Sequence, residues 1–471
     1  MGEKKLKKTI TIFGGTGDLT FRKLLPAMYN MHVTGGEGAG YDIVIIGRRD
    51  YTSGEYRQIA RDWVKQFSRL PFTEEKYKDF SEKIEYYRMD FSDPAAYEGL
   101  ENYYKERGLS EHIFYFAVAP RFFSTIAEGL DGIHEAGKGK VILEKPFGED
   151  LESAKELSRR LEEIFAPDRI YRIDHYLGKE MVRNMQIIRF TNPVFANNWN
   201  RDAVSCIQIS AMEDVGVENR AGYYDTSGAM KDMVQNHLLQ ILSIVAMERP
   251  ASFKGEDLHE EQLKVLKALR PASGETIRDM LVLGQYEGYR EEKGVKPDST
   301  TETYAALRLF VDNERWQDVP FYIRTGKKLG RREMEVAVIF RQTEENGENN
   351  VLLIKIQPME GVYFQFNIKR PGESEEVIQT KMDFCQSCVV ENRINTPEAY
   401  ERLLGACMRG ERSWFSQWDQ IEAGWRYVSG MKRIYQEENL PIVTYAQGTS
   451  GPEAADQMLN TMGHSWFGQD D

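Results

Sequence analysis

The stretch "KKTITIFGGTGDLTFRKLLPAMYNM", Lys7 to Met31, decides the fold. Lys7 to Phe13 is a short run rich in β-branched residues. Glycines follow at 14, 15 and 17, and an amphipathic pattern begins at once. Strand, tight turn and helix in immediate succession open a strand–helix–strand unit. A second apolar run, "YDIVIIG", ends at Gly47, and "KIEYYRMDF", "HIFYFAVAP" and "GKVILEKPFG" read as further strands with helical patterns between most of them. Alternation of this kind implies a Rossmann-type, doubly wound parallel sheet with its ligand at the carboxyl ends of the strands. We place this α/β domain over residues 1–172.

Residues 173–471 read differently. "AVSCIQISAME", "ETYAALRLFVD", "MEVAVIFRQ", "NVLLIKIQP" and "GVYFQFNIKR" are strand-like, several of them consecutive without a helix between. Consecutive strands favour an α+β domain on a large, mainly antiparallel sheet. Helical patterns occur in "AMKDMVQNHLLQILSIVAME" and "TPEAYERLLGACMRG", and the segment from Gln447, rich in Gly, Ser and polar residues, reads as poorly ordered.

Glycine permits a sharp turn and a close approach to phosphate, while free N–H groups at a helix start donate to it. Gly15 and Gly17 match the first two glycines of G-x-G-x-x-G, and Thr20 stands at the third. At the end of the next strand an acid would bind a free ribose hydroxyl, whereas arginine accommodates a 2′-phosphate. Arg48 and Arg49 stand there, which favours NADP; Asp50 keeps NAD open, and a pair of solvated loop arginines is the bland alternative.

Composition excludes several classes. The chain has 471 residues, 41% hydrophobic and 29% charged, as a soluble globular protein does. A net charge of -13 without a basic stripe argues against nucleic-acid binding. No apolar run approaches the roughly 20 residues of a membrane span, and the basic tip "MGEKKLKK" leads directly into a strand, so a cytoplasmic protein without a cleaved signal is expected. Four scattered cysteines fit a reducing compartment and no disulfide framework. Cys385 and Cys388 form one C-x-x-C pair, but neither a second pair nor H-x-x-x-H is present to complete a zinc site, so no metal is expected.

"RIDHYLGKE", Arg172 to Glu180, crowds an acid, a base, a phenol and a lysine together. If helical from Tyr176, it sets His175 and Lys179 on one face near a helix start, suited to an anion; it reads equally as a solvated polar turn before an ordinary helix. A dehydrogenase also needs a base for the hydroxyl proton, and histidine suits neutral pH. Of seven histidines, His32, His112 and His134 read as loop or exposed helix positions, His259 lies in an acidic run and His464 in the tail. His175 and His237 remain. His237, in "GAMKDMVQNHLLQIL", follows Asp232 by five positions, and Asp174 is available to orient an imidazole. A histidine within such a helix reads also as structural.

Together these stretches resemble the glucose-6-phosphate dehydrogenase family. "GGTGDLTFRKL" is similar to its cofactor fingerprint, "EKPFG" to its domain-joining segment and "RIDHYLGKE" to its substrate signature. "AGYYD", "DMVQNHLLQ", "GQYEGY", "IRTGKKL" and "AYERLLGACMRG" resemble further family segments. The resemblance implies His237 as general base for the C1 hydroxyl, oriented by Asp174, in oxidation of glucose 6-phosphate to 6-phosphogluconolactone with NADPH formed. It implies His175, Tyr176 and Lys179 on the 6-phosphate, joined by Arg332 and Lys327. Glu213 and Asp232 would hold sugar hydroxyls, Lys145 would bridge cofactor and sugar, and Pro146 would help set the domain angle. Gly14, Gly15, Thr16, Gly17, Asp18, Leu19, Thr20, Arg48, Arg49 and Asp90 would line the NADP site. A homodimer, or a dimer of dimers, through the sheet domain is implied as well. Thr20 and Phe21 depart from the Ala and basic residue of many relatives, which implies altered cofactor affinity. Two rivals are a glucose-fructose oxidoreductase-like enzyme, which would not require His175 with Lys179, and an NADP-binding sensor without catalysis.

Overall fold

Strands buried on both faces carry near-continuous apolar runs, and those runs build the first sheet. In the computed structural model, which describes residues 7–133, 136–344, 347–389 and 395–468, β1 (Lys7–Phe13), β2 (Tyr41–Gly47), β3 (Ile84–Arg88), β4 (Leu109–Phe116), β5 (Lys140–Leu143) and β6 (Ile170–Arg172) pair in the order 3-2-1-4-5-6. Every neighbouring pair is parallel. Phe13 sits level with Ile46 of β2 and Phe116 of β4, so these strands end along one edge.

The chain forms two compact units. The first comprises Met1–Gly178, Ser252–Leu258 and Ile394–Trp418. Its returning helix Ala399–Arg409 follows from an apolar stripe: Leu403, Leu404, Ala406 and Cys407 join Ile10, Ile12 and Met28 in one core. Glu401, buried on that helix, pairs with Arg69 at 2.8 Å and accepts a hydrogen bond from Asn30 at 3.1 Å. No sequence pattern announced this return.

The second unit is built on a nine-stranded sheet in the order β14-β13-β12-β11-β7-β10-β9-β8-β15. Its strands are β7 (Val204–Met212), β8 (Leu281–Tyr286), β9 (Tyr304–Leu309), β10 (Phe321–Gly326), β11 (Glu333–Phe340), β12 (Val351–Gln357), β13 (Gly361–Lys369), β14 (Val377–Cys385) and β15 (Val443–Tyr445). Only β7 with β10 and β8 with β15 are parallel; the other pairs are antiparallel. The mainly antiparallel sheet is therefore as expected.

Four expectations are corrected. His112 is a buried residue of β4, stacked on Phe114, because the strand begins three residues before it; His134 lies outside the described residues, as do residues 1–6. Cys385 and Cys388 are joined as a disulfide, their Cα atoms 5.4 Å apart and within bridging range, against the expectation of none. Within "RIDHYLGKE" the helix begins at Glu180, not at Tyr176. Lastly, the polar tail is packed: helix Glu453–Asn460 inserts Met458 and Leu459 into the second core, and the Trp466 ring lies 4.4 Å from the guanidinium of buried Arg324. A few apolar residues suffice to anchor a segment whose average composition is polar. Trp466→Ala is expected to lower unfolding free energy by about 3 kcal/mol through the cavity it leaves, read from the urea midpoint at unchanged slope.

Candidate functional site

The glycine turn is fixed by lack of room. A Cβ on Gly15 would lie 2.0 Å from Ile45 Cγ2, and one on Gly14, whose φ is +89°, would lie 2.3 Å from the carbonyl oxygen of Ala117. Only glycine lets the loop sit this close to the strand ends. Thr20 takes over at the missing third glycine: fully buried, it donates from Oγ1 to the Gly14 carbonyl at 3.1 Å. The next residue, Phe21, stacks on Tyr56 and Trp63, and Tyr56 donates to the Gly15 carbonyl at 2.5 Å. A hydroxyl and two rings thus brace the turn.

Gly14, Thr16, Gly17, Arg48 and Arg49 line one cavity of about 410 Å³, with Phe91 beside them. Asp50, exposed, pairs its carboxylate with Arg88 at 2.9 Å. Asp18 is exposed and pairs with Arg22, while Asp90 accepts the Ser92 amide at 3.0 Å; neither these two nor Leu19 lines the cavity. The glycine cradle and two arginines fit a dinucleotide.

At the other side of the same sheet, β5 and β6 run into Lys145 and Asp174. Ile173 extends the ladder by donating to the Leu143 carbonyl at 2.9 Å, which brings both residues just beyond adjacent strand ends. The Lys145–Pro146 peptide is cis. Glu144, before it, is half-buried and accepts from Tyr115 at 2.5 Å and from Tyr400 of the returning segment. Burial raises its carboxyl above the usual range, opposed by those two hydrogen bonds and by Lys145.

Asp174 makes the turn that displaces the expected helix start. Its Oδ1 accepts the Tyr176 amide at 2.9 Å and its carbonyl accepts the Leu177 amide at 3.1 Å. His175 is half-buried with its ring 4.5 Å from that of Tyr176. Gly178 then packs on the returning helix: a Cβ there would be 3.1 Å from Ala399 Cβ, and its carbonyl accepts from Arg402 at 3.0 Å.

In the second unit, Lys179 stands at the N-terminal boundary of helix Glu180–Thr191 and donates to Gln357 at 2.5 Å. β7 and β10, parallel neighbours, deliver Glu213 and Lys327 side by side. Their side chains meet at 2.5 Å and the Lys327 ammonium lies 5.0 Å from the Tyr224 ring. Arg332 is exposed and makes no ion pair among the described residues. His237 and Asp232 are buried on one nine-residue segment, Met230–Leu238, whose wide turns carry i→i+5 hydrogen bonds before a regular helix, Leu239–Ala246, takes over. Tyr223 hydrogen-bonds Asp232. Sequence periodicity shows a helix there but not its widening, and it missed the roles of Thr20, Glu144 and Tyr400.

A glycine cradle at the level ends of a 3-2-1-4-5-6 parallel sheet, in a chain that also carries a large mainly antiparallel sheet with buried acid and histidine, defines the class of two-domain, nicotinamide-linked oxidoreductases. The chain belongs to the glucose-6-phosphate dehydrogenase family: the family's NAD binding domain matches residues 11–184 and its C-terminal domain residues 186–467. It is 37% identical over 489 residues to the glucose-6-phosphate 1-dehydrogenase of Bacillus subtilis (strain 168), covering 98% of each chain. Among solved structures, a glucose-6-phosphate dehydrogenase in complex with its substrate glucose-6-phosphate superposes with a TM-score of 0.88 at 33% identity. The Mycobacterium avium enzyme gives 0.86 at 33%; each covers 98% of both chains. No helix among the described residues is long and apolar enough to cross a membrane.

Because Thr20 holds the loop through one hydroxyl, Thr20→Val is expected to weaken dinucleotide binding by about five- to tenfold, the loss of roughly 1 kcal/mol of hydrogen bonding. Fluorescence titration with NADPH checks this.

Proposed function

We propose that the chain oxidises glucose 6-phosphate to 6-phosphoglucono-1,5-lactone with NADP as acceptor, working in the cytoplasm. The observation that carries the cofactor choice is Arg48 and Arg49 on the wall of the glycine-lined cavity while Asp50 is engaged by Arg88. Two guanidiniums on that wall suit a 2′-phosphate. The sugar phosphate follows from family membership and from the relative named with that substrate.

In this reading His237 takes the C1 hydroxyl proton, with Asp174 holding the imidazole in the required tautomer. When bound, the nicotinamide accepts the hydride from C1. His175, Tyr176, Lys179 and Arg332 grip the phosphate, assisted by Lys327; charge-assisted hydrogen bonds far from C1 then convert binding energy into alignment. Glu213 and Asp232 fix sugar hydroxyls, and Lys145 spans sugar and cofactor. Asp18, Leu19 and Asp90 contribute to the cofactor site through the loops they sit in.

The proposed partner is a second copy, giving a homodimer or a dimer of dimers. Support comes from the outer strands of the large sheet, where Phe364 pairs with Met382 and Val362 with Phe384, leaving Met382 58% and Phe384 53% exposed. An apolar sheet face left to water favours association. Met382→Glu is expected to lower the sedimentation-derived mass to that of one chain; an unchanged mass would place any association elsewhere.

The activity test is NADPH formation by the purified protein with glucose 6-phosphate, beside glucose and beside NAD. Turnover with the phosphorylated sugar and NADP is expected, and Arg48→Ala with Arg49→Ala should raise the KM for NADP at least tenfold while leaving that for NAD within about twofold. His237→Asn should lower kcat by 10² or more. Folded protein that binds NADP but turns over no pair would be the silent sensor instead.

A further inference from the structure

Five positions separate Asp232 and His237. In a regular α-helix that spacing would turn the two side chains about 140° apart. The segment Met230–Leu238 is instead wound with i→i+5 hydrogen bonds, which brings residues five apart close to one face. Whatever fixes the start of this segment therefore fixes how the acid and the base stand to each other.

The start is held by one buried residue. Gly228 breaks the preceding helix with φ 68° and ψ 173°, and the space its Cβ would fill is taken by the Glu302 carboxylate, 2.5 Å away at Oε1. The Glu302 carbonyl accepts the Ala229 amide at 2.9 Å, and its Oε1 accepts the Met230 amide at 3.2 Å. These are amides that a helix start leaves without intrahelical partners, and a negative charge is favoured there. Glu302 is 2% exposed, and both its oxygens accept from Lys432 at 3.0 Å. A buried carboxylate persists only when paired in this way. Lys432 belongs to helix Trp418–Glu437, and Gly424 of that helix also lies against the segment, at 3.7 Å from the Gln235 carbonyl in Cβ terms.

We propose that Glu302, locked by Lys432, is a positioning residue that sets the register of the segment bearing Asp232 and His237. Its carboxylate is buried and is spent on the Met230 amide and Lys432. The Gly228–Glu302 fit acts as a stop: no larger residue at 228 and no shorter acid at 302 keeps both the turn and the amide contact. The inference rests on the assignment of His237 as base.

The test compares Glu302→Gln, Glu302→Ala and Lys432→Met with the parent protein. The glutamine keeps an acceptor for the Met230 amide and loses the ion pair; the alanine loses both. Expected are a roughly tenfold fall in kcat for Gln and about a hundredfold fall for Ala, with NADPH affinity unchanged. The acidic limb of the kcat/KM profile should move, because the surroundings of the base change, and amide hydrogen exchange across 230–237 should quicken in the same order. Lys432→Met should resemble Gln. Should Ala fail to fold, the Gln and Met variants are read alone. Variants that are less stable yet keep the parent kcat and pH profile would overturn the positioning role. A parent protein without any turnover would instead overturn the function on which it rests, and the exchange measurement would still decide whether Glu302 holds the segment.

Discussion

The space between Gly15 and Ile45 is the constraint on which the first unit depends. A side chain atom there would fall 2.0 Å from Ile45 Cγ2, so the turn after β1 exists only as glycine, pressed onto the ends of β1, β2 and β4. That closeness leaves Gly14, Thr16 and Gly17 on the wall of one cavity with Arg48 and Arg49. Tyr56 and Thr20 hold the turn from behind through the carbonyls of Gly15 and Gly14. Because all six strands are parallel, the same edge also presents Lys145 and Asp174, and between β5 and Lys145 the Glu144 carboxyl is held by two phenols.

The second unit solves a related problem with different means. Its two neighbouring parallel strands, β7 and β10, place Glu213 and Lys327 together, just as parallel β5 and β6 place Lys145 and Asp174. Strand ends of like direction recur as the device that gathers polar groups. The histidine is carried otherwise, on a widened helical segment whose beginning is clamped by Glu302.

What could be read from the sequence follows from range. β1 and β2 came out to the residue because their apolar runs end in glycine, and the turn chemistry at 14–17 is local. The two sheets and their difference in direction were legible from the order of strands and helices. The return of residues 394–418 was not, since it is written in contacts such as Arg69 with Glu401, more than three hundred positions apart. "RIDHYLGKE" was read as helical too early because the Asp174 side chain, by taking the Tyr176 amide, competes with the helix for its first donor. The tail was misjudged because composition averages over the few residues, Trp466 above all, that tie it down. Glu302 left no signal: it is one polar residue at the head of the strand-like run "ETYAALRLFVD", and only its burial and its pairing with Lys432 mark it.

The most direct measurement follows the hydrogen on C1. Glucose 6-phosphate carrying deuterium at that carbon is oxidised by the protein with NADP, and the reduced nicotinamide and the water are both analysed for label. Full retention of deuterium in NADPH is the expected result, since hydride passes directly while the hydroxyl proton alone leaves through a side chain. Deuterium recovered in water, with unlabelled NADPH, would contradict the account and require a different reaction at C1.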